Sequence, residues 1–289
     1  MDLMSNESFK YMAPTPQRSS VIFCSPHSGR HYSESFLEKS MLDSVQIRAS
    51  EDAFVDRLID CAPDLGAPLL VATAPRSYVD LNRHADELDG AVIQGVRKSI
   101  ANPRVVSGLG VIPRVVAEGR AIQLGKMTMA QAQDRLNRIY HPYHLKLAQM
   151  MKETRTKFGQ AILIDFHSMP LAATSSMVVK GGGRPNVVLG DRFGASSSRA
   201  VMDAVEAAFV NQAFSVSRNV PFAGAYIVQQ YGRPSVAQHA IQVELDRSLY
   251  MDENLVAPNE LFDQTRARLR GVIEELTAIS TQELSIAAQ

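Results

Sequence analysis

Two histidines and a glutamate lie at or near the ends of apolar runs, and these residue types can bind a metal ion or move a proton. One apolar run ends shortly before His27 and another shortly before His167. Glu244 interrupts a third apolar run, where an unpaired carboxylate would be costly. Such runs are typical of strands buried on both faces, and α/β sheets bind ligands beyond the carboxyl ends of their strands. The three residues are therefore candidates for one site, with a core histidine bonded to backbone as the alternative for His167.

A catalytic zinc site needs three protein ligands and one position open to water. His27, Asp52 and His167 offer two imidazoles and one carboxylate, which is a common set of this kind. Zinc lowers the pKa of its bound water from about 15.7 towards about 7, and a carboxylate that is not a ligand must then carry the proton. Glu244 fits that role. Asp52 follows Ser50 at a predicted helix start, so helix capping would also explain this acid.

The segment from Arg76 to Arg83 follows another predicted strand and contains two arginines, an aspartate and an asparagine. Arginine can bind a carboxylate through two parallel hydrogen bonds, so this cluster suits an anionic ligand. Solvated loop charge is the alternative reading of the cluster. Together with the candidate zinc ligands, these residue types indicate metal-assisted hydrolysis of a small anionic amide.

The elements that must position these residues alternate between strands and helices. Strands are predicted at 21–24, 69–73, 161–168, 177–179, 186–189 and 238–247, and helices from Ser50, over Thr128–Lys157 with a kink or break at Pro142, over Ser196–Gln212 and over Asn259–Ile279. The alternation predicts an α/β domain with a largely parallel sheet. We expect a single domain at 19–280, after a loosely ordered lead-in at 1–18 and before a flexible tail at 281–289.

The composition argues against several classes of function. Thirty basic side chains balance thirty acidic ones, so the net charge is zero and nothing predicts binding to nucleic acid or to a membrane surface. No apolar stretch reaches the roughly 18 residues of a membrane span, and no signal-peptide core is evident. Cys24 and Cys61 form no CxxC motif, and we expect buried free thiols in a cytoplasmic protein. A homo-oligomer remains open.

Five short motifs occur in order along the chain. They are Ser25-Pro26-His27-Ser28-Gly29, Asp52 at a predicted helix start, Asp80-Leu81-Asn82-Arg83, Asp165-Phe166-His167-Ser168, and Gln242-Val243-Glu244-Leu245 with Arg247, Leu249, Tyr250 and Met251. In this order, from about Val21 to Asp252, they resemble the N-formylglutamate amidohydrolase family. The resemblance implies a zinc-exopeptidase-like (phosphorylase/hydrolase-like) α/β fold, with a largely parallel or mixed central sheet and helices on both faces. It also implies zinc-dependent cleavage of N-formyl-L-glutamate to formate and L-glutamate, in histidine breakdown.

The resemblance also implies a role for individual residues. One zinc ion per chain would be held by His27, Asp52 and His167, and Glu244 would act first as general base and then as general acid. The substrate would be bound by Asn82, Arg83, Arg192 and Arg247. Zinc carboxypeptidases, which have a similar fold, take their first two ligands from a compact HxxE motif. Here Ser28-Gly29-Arg30 follows His27, so either the carboxylate ligand comes from elsewhere or the site binds metal differently. Glu51 is as suitable chemically as Asp52.

Two other functions remain open at this point. The first is metal-dependent hydrolysis of another N-acyl amino acid or of a peptide. The second is a non-catalytic protein that binds an acidic amino acid through Arg83 and Arg247. The non-catalytic protein would bind its ligand without turnover and without zinc.

Overall fold

A computed structural model describes residues 8–97, 102–179 and 182–279 of the chain. The strands are β1 (Phe9–Met12), β2 (Val21–Ser25), β3 (Leu69–Ala72), β4 (Ala161–Met169), β5 (Val187–Gly190), β6 (Val216–Arg218), β7 (Gln238–Asp246), β8 (Met251–Asp252) and β9 (Ala257–Pro258). The helices are α1 (Glu34–Leu37), α2 (Val55–Leu58), α3 (Pro103–Val106), α4 (Met129–Arg135), α5 (His141–Phe158), α6 (Arg199–Asn211), α7 (Tyr226–Tyr231) and α8 (Phe262–Thr277). The predicted tail at 281–289 lies outside the described residues.

Seven strands form one sheet in the order β1-β3-β2-β4-β7-β5-β6. The pairs β2–β4, β4–β7 and β5–β6 are parallel, and the pair β5–β7 is antiparallel. Every residue of β2 and β4 is buried, which is why both appear in the sequence as apolar runs without alternation. The predicted α/β class with a mixed central sheet is confirmed.

Two compact units divide the chain. The first comprises Met1–Lys10, Pro26–Ala53 and Val71–Lys146, and the second comprises Tyr11–Ser25, Phe54–Leu70 and Leu147–Gln289, each as far as it is described. The first unit holds a small core of buried apolar residues: Phe36, Ile47, Val116 and Ile122. In the second unit α8 packs against α6 and α2, and α7 packs against β7.

The predicted helix start at Ser50 is wrong, and the difference bears on Asp52. The backbone φ of Phe54 is 65°, a left-handed value that no helix can contain, so α2 begins only at Val55. The N–H of Asp52 instead donates to the carbonyl of His27 over 3.0 Å. Asp52 therefore does not cap a helix, and its backbone is tied to the loop that carries His27.

The long helical pattern from Thr128 contains a change of register. α4 begins with a capping box in which the Thr128 hydroxyl accepts from the Gln131 N–H, as the sequence suggests. A π turn at Leu136–Tyr140 follows, and α5 then continues through Pro142. The predicted break at Pro142 is wrong: proline lacks an N–H but is tolerated near the start of a helix, and the change of register lies in the π turn before it.

Three smaller observations complete the fold. β1 lies inside the segment 1–18, which the sequence predicts to be loosely ordered. Cys24 is buried and Cys61 is only partly buried, and both are free thiols. Within the described ranges no helix combines the length and the apolar character needed to cross a membrane.

Candidate metal centre

Two neighbouring strands place four polar side chains in two rows on one face of the sheet. In the parallel register of β4 and β7, Asp165 is paired with Gln242 and His167 with Glu244. Side chains two residues apart on a strand point to the same face, and register partners lie side by side. His167 and Glu244 therefore form the row nearer the carboxyl ends of both strands, and Asp165 and Gln242 form the row behind it.

His27 lies in the loop after β2, and Gly29 makes that loop possible. A Cβ atom at Gly29 would lie 2.1 Å from the carbonyl oxygen of Ala74, a distance that no side chain tolerates. The N–H of His31 donates to the carbonyl of Thr73 over 3.0 Å. The close approach of these two segments explains why glycine follows the histidine so closely.

Each ring nitrogen of His27 lies near a carboxylate oxygen. Nε2 bonds Oδ1 of Asp80 over 2.8 Å, and Nδ1 lies 3.5 Å from Oδ2 of Asp52. His27 and both aspartates are at most 1% exposed. An imidazole that donates through Nε2 to a carboxylate presents the lone pair of Nδ1, as metal-binding histidines do. The arrangement directs Nδ1 towards the Asp52 carboxylate.

Asp80 remains ionised because cations surround it. Its Oδ2 accepts from Nε of Arg76 over 3.0 Å and lies 3.9 Å from Nη2 of Arg83, and its Oδ1 also accepts from the N–H of Asn82 over 2.9 Å. Burial alone would raise the pKa of this carboxyl, but Arg76, Arg83 and His27 outweigh burial and hold its pKa well below the ordinary value. A charged carboxylate is thus fixed behind the imidazole of His27.

His167 has a similar carboxylate behind it. Oδ2 of Asp165 lies 2.9 Å from Nε2 of His167, and its Oδ1 accepts from the thiol of Cys24 over 3.2 Å. Asp165 and Cys24 are fully buried. A proton on Nε2 of His167 again leaves the Nδ1 lone pair for a ligand. A carboxylate oxygen therefore lies within 3 Å of Nε2 of each histidine.

One ligand atom from each of His27, Asp52 and His167 lies within 4.8 Å of the others, and all three residues are buried. The structure brings together the three residues that the sequence predicts as ligands. Two imidazoles and a carboxylate are a donor set that fits zinc with a position left open for water. That these residues bind zinc stays a prediction.

The contacts of Glu51 bear on whether it or Asp52 is the better candidate for the carboxylate ligand. Its carboxylate accepts from Nε and Nη2 of Arg48 over 2.9 and 3.0 Å, and from the hydroxyl of Tyr32 over 3.1 Å. Burial, and then the charge of Glu51, raises the pKa of Tyr32 far above the ordinary value, so this hydroxyl stays a donor. Glu51 is thus engaged in a bidentate ion pair, and the structure favours Asp52 as the ligand.

The predicted substrate-binding residues have different surroundings. Asn82 and Arg83 are buried beside Asp80, and Nε and Nη1 of Arg83 donate to the carbonyls of Leu109 and Asn82. Arg247 is buried after β7, where its Nε donates to the hydroxyl of Ser168 over 3.2 Å. Arg192 lies in the turn after β5 with a left-handed φ of 55°. Their role in binding stays a prediction for all four residues.

His144 contacts the segment that carries Asp80, Asn82 and Arg83. Its Nε2 lies 2.9 Å from the carbonyl oxygen of Leu81, and its ring packs on Tyr140, whose hydroxyl donates to the carbonyl of Arg83. The sequence analysis identified neither this contact nor the roles of Asp80 and Asp165. For Asp165 a signal was available, because residues two apart on one strand share a face, which places Asp165 next to His167. No sequence signal pairs Asp80 with His27, because the two residues are 53 positions apart.

The chain matches a known family over most of its length. A sequence model of the N-formylglutamate amidohydrolase family matches residues 19–251. An N-formylglutamate deformylase of Pseudomonas aeruginosa is 29% identical over 269 residues, which cover 90% of this chain and 94% of the relative. An N-formylglutamate deformylase of Pseudomonas putida is 27% identical over 266 residues, which cover 90% and 93%.

A solved structure agrees with these sequence matches. The crystal structure of an N-formylglutamate amidohydrolase from Ralstonia eutropha is similar to this chain with a TM-score of 0.84 and 31% identity. The match covers 93% of this chain and 96% of the other. Sequence and fold therefore agree along nearly the whole length of both proteins.

Proposed function

Because the chain belongs to the N-formylglutamate amidohydrolase family, we propose that it hydrolyses the amide bond of N-formyl-L-glutamate to give formate and L-glutamate. The observation that carries the proposal is the cluster of His27, Asp52 and His167, with Glu244 paired beside His167. The named activity of the relatives, which align over nine tenths of this chain, supports the choice of substrate.

A zinc ion is the cofactor that we propose for this cluster. The donor set supports it, as do the carboxylates of Asp80 and Asp165 beside the outer nitrogens of His27 and His167. Bound there, zinc would polarise the formyl carbonyl and lower the pKa of a water molecule towards neutrality. The bond between Nε2 of His27 and the Asp80 carboxylate orients the ring so that Nδ1 faces the carboxylate of Asp52.

Glu244 is the proposed proton carrier. It lies in register beside His167, so its carboxylate projects from the same face of the sheet. As general base it takes a proton from the attacking water, whose oxygen bonds to the formyl carbon. As general acid it then gives this proton to the amide nitrogen as the C–N bond breaks, which releases formate and the free amine.

The substrate is a small anionic amide with two carboxylates, and arginine is suited to bind them. Arg83, Arg192 and Arg247 are the proposed partners of these groups, with Asn82 as a further hydrogen-bond donor. Arg83 supports this proposal best, because its guanidinium is positioned by two carbonyls and by Asp80. Fixing an arginine in advance lowers the entropy cost of binding an anion.

The test is formate release from N-formyl-L-glutamate by the purified protein, measured as isolated, after chelation and after zinc is restored. We expect turnover that chelation abolishes and zinc restores. N-acetyl-L-glutamate, N-formyl derivatives of uncharged amino acids and short peptides are assayed beside it by kcat/KM. A higher kcat/KM for one of these would replace the proposed substrate. Ligand binding without turnover in the zinc-loaded protein would replace the enzyme by a binding protein.

A further inference from the structure

Gln242 lies directly behind Glu244 on β7, with its side chain in contact with that carboxylate. Its Nε2 donates to Oε1 of Glu244 over 2.7 Å. The two residues are two positions apart on one strand and therefore share a face of the sheet. Gln242 is 4% exposed and Glu244 is 9% exposed, so the bond is shielded from bulk water. A hydrogen bond to a buried carboxylate is among the stronger ones in proteins.

A second hydrogen bond fixes which end of the amide faces Glu244. Oε1 of Gln242 accepts from the backbone N–H of Ala225 over 3.0 Å. Because that backbone group can only donate, the amide oxygen must point to Ala225 and the amide nitrogen to Glu244. The side chain is thus held at both ends and cannot flip without losing a bond.

The Ala225 end of this link is itself held rigidly. A Cβ atom at Gly190 would lie 2.6 Å from the backbone carbon of Ala223, so the segment before α7 packs directly on the end of β5. The N–H of Arg192 donates to the carbonyl of Ala223 over 2.7 Å. Gln242 therefore connects the carboxylate of Glu244 to a backbone segment whose position is set by β5.

We infer that Gln242 is a positioning residue, which holds the Glu244 carboxylate in the orientation needed for proton transfer by means of the Ala225–Gln242–Glu244 hydrogen bonds. The inference rests on the proposed role of Glu244. It parallels the other strand, where Asp165 lies behind His167 in the same relation of two residues. A carboxylate that can change its rotamer spends part of its time in orientations from which it cannot transfer a proton. Loss of a hydrogen-bond partner that orients a functional side chain typically lowers activity by about 10–100-fold.

Gln242→Met tests the inference, because methionine has a similar volume and makes neither hydrogen bond. We expect kcat to fall about 10–100-fold, with KM and the bound zinc per chain unchanged. Gln242→Leu removes the same two hydrogen bonds with a smaller side chain, and we expect it to lose as much. Gln238→Met is the matched control, on the same strand but at its opposite end, and should keep wild-type kcat.

Two outcomes of these variants would overturn the inference. One is wild-type kcat in folded Gln242→Met or in folded Gln242→Leu. The other concerns the double variant. Once Glu244→Gln has removed the proton carrier, we expect Gln242→Met to change the residual rate by less than about twofold. A full second loss in that background would show that Gln242 does not act through Glu244.

A spectroscopic measurement keeps the inference testable without turnover. The side-chain NH2 signals of Gln242, identified in ¹⁵N spectra by their absence in Gln242→Glu, should shift in Glu244→Ala. Unchanged signals would refute the hydrogen bond and the inference with it. An inactive wild type with a shifted signal would instead refute the proposed function and leave the positioning contact in place.

Discussion

Replacing Asp80 by asparagine should weaken zinc binding although Asp80 is not one of the proposed ligands. The asparagine keeps the size of the side chain and removes its charge. In the wild type, Oδ1 of Asp80 bonds Nε2 of His27 over 2.8 Å, and Oδ2 accepts from Nε of Arg76 over 3.0 Å. An amide has only one acceptor oxygen, so one of these donors would face an NH2 group. We expect His27 to lose its fixed ring orientation or its tautomer preference.

The expected losses of zinc affinity and of folding stability in Asp80→Asn follow from the burial of the groups involved. Loss of an outer-shell carboxylate typically weakens metal binding by about 10–100-fold, which corresponds to about 1.4–2.7 kcal/mol. Removing one partner of a buried ion pair costs about 3–5 kcal/mol of folding stability. The side chain of Asp80 is 2% exposed but that of Arg76 is 24% exposed. We therefore expect the loss of stability to lie at about 3 kcal/mol, the lower end of that range.

The assay is competition with a chromophoric chelator, which gives the Kd for zinc, together with denaturant unfolding of the metal-free protein. Asp89→Asn is the control, because Asp89 is also buried and accepts from Nε of Arg114 over 2.9 Å. It should lower the free energy of unfolding and leave the zinc Kd unchanged. Unaltered zinc binding in folded Asp80→Asn would refute the reasoning that Asp80 orients His27.

The stability difference between wild type and Asp80→Asn should depend on pH in a fixed direction. The folded pKa of Asp80 lies well below its ordinary value, since the nearby cations outweigh burial. Such a carboxylate stabilises the fold fully above its unfolded pKa of about 3.9, and this contribution is lost as the pH falls through the folded pKa. We expect a constant difference between about pH 5 and pH 7 and a shrinking one below about pH 4. A difference that grows on acidification would contradict the sign of this linkage.

Three further substitutions test the site. Glu244→Gln should retain zinc and fold while kcat falls about 10²–10⁴-fold, as is usual for loss of a proton carrier; near-normal turnover with bound zinc would remove Glu244 from the mechanism. Asp52→Asn should lose zinc, measured by metal content after dialysis. Glu51→Gln should keep zinc but unfold at lower denaturant because the bidentate bonds from Arg48 weaken. The opposite pattern would make Glu51 the ligand.

The sequence determined the elements whose signals are local. β2 and β4 are buried along their whole length, so an unbroken apolar run was enough to find them and the histidines that follow. Glu244 stood out because a carboxylate in a buried strand needs a partner or a role. The capping box at Thr128 was readable because both of its residues lie within one turn. The family could be recognised because its short motifs keep their order along the chain.

Tertiary structure decided everything that depends on partners distant in sequence. Residue type alone does not tell whether Asp52 or Glu51 faces His27. In the structure Oδ2 of Asp52 lies near His27, and Arg48 binds the carboxylate of Glu51. The left-handed backbone at Phe54 moved the helix start away from Asp52, a change that no propensity predicts. The parallel register of β4 and β7 set Glu244 beside His167 and Gln242 beside Asp165, because a shift of one residue would turn every side chain to the other face. The sequence specifies the residue types, but which of them come into contact is determined only when the strands pair.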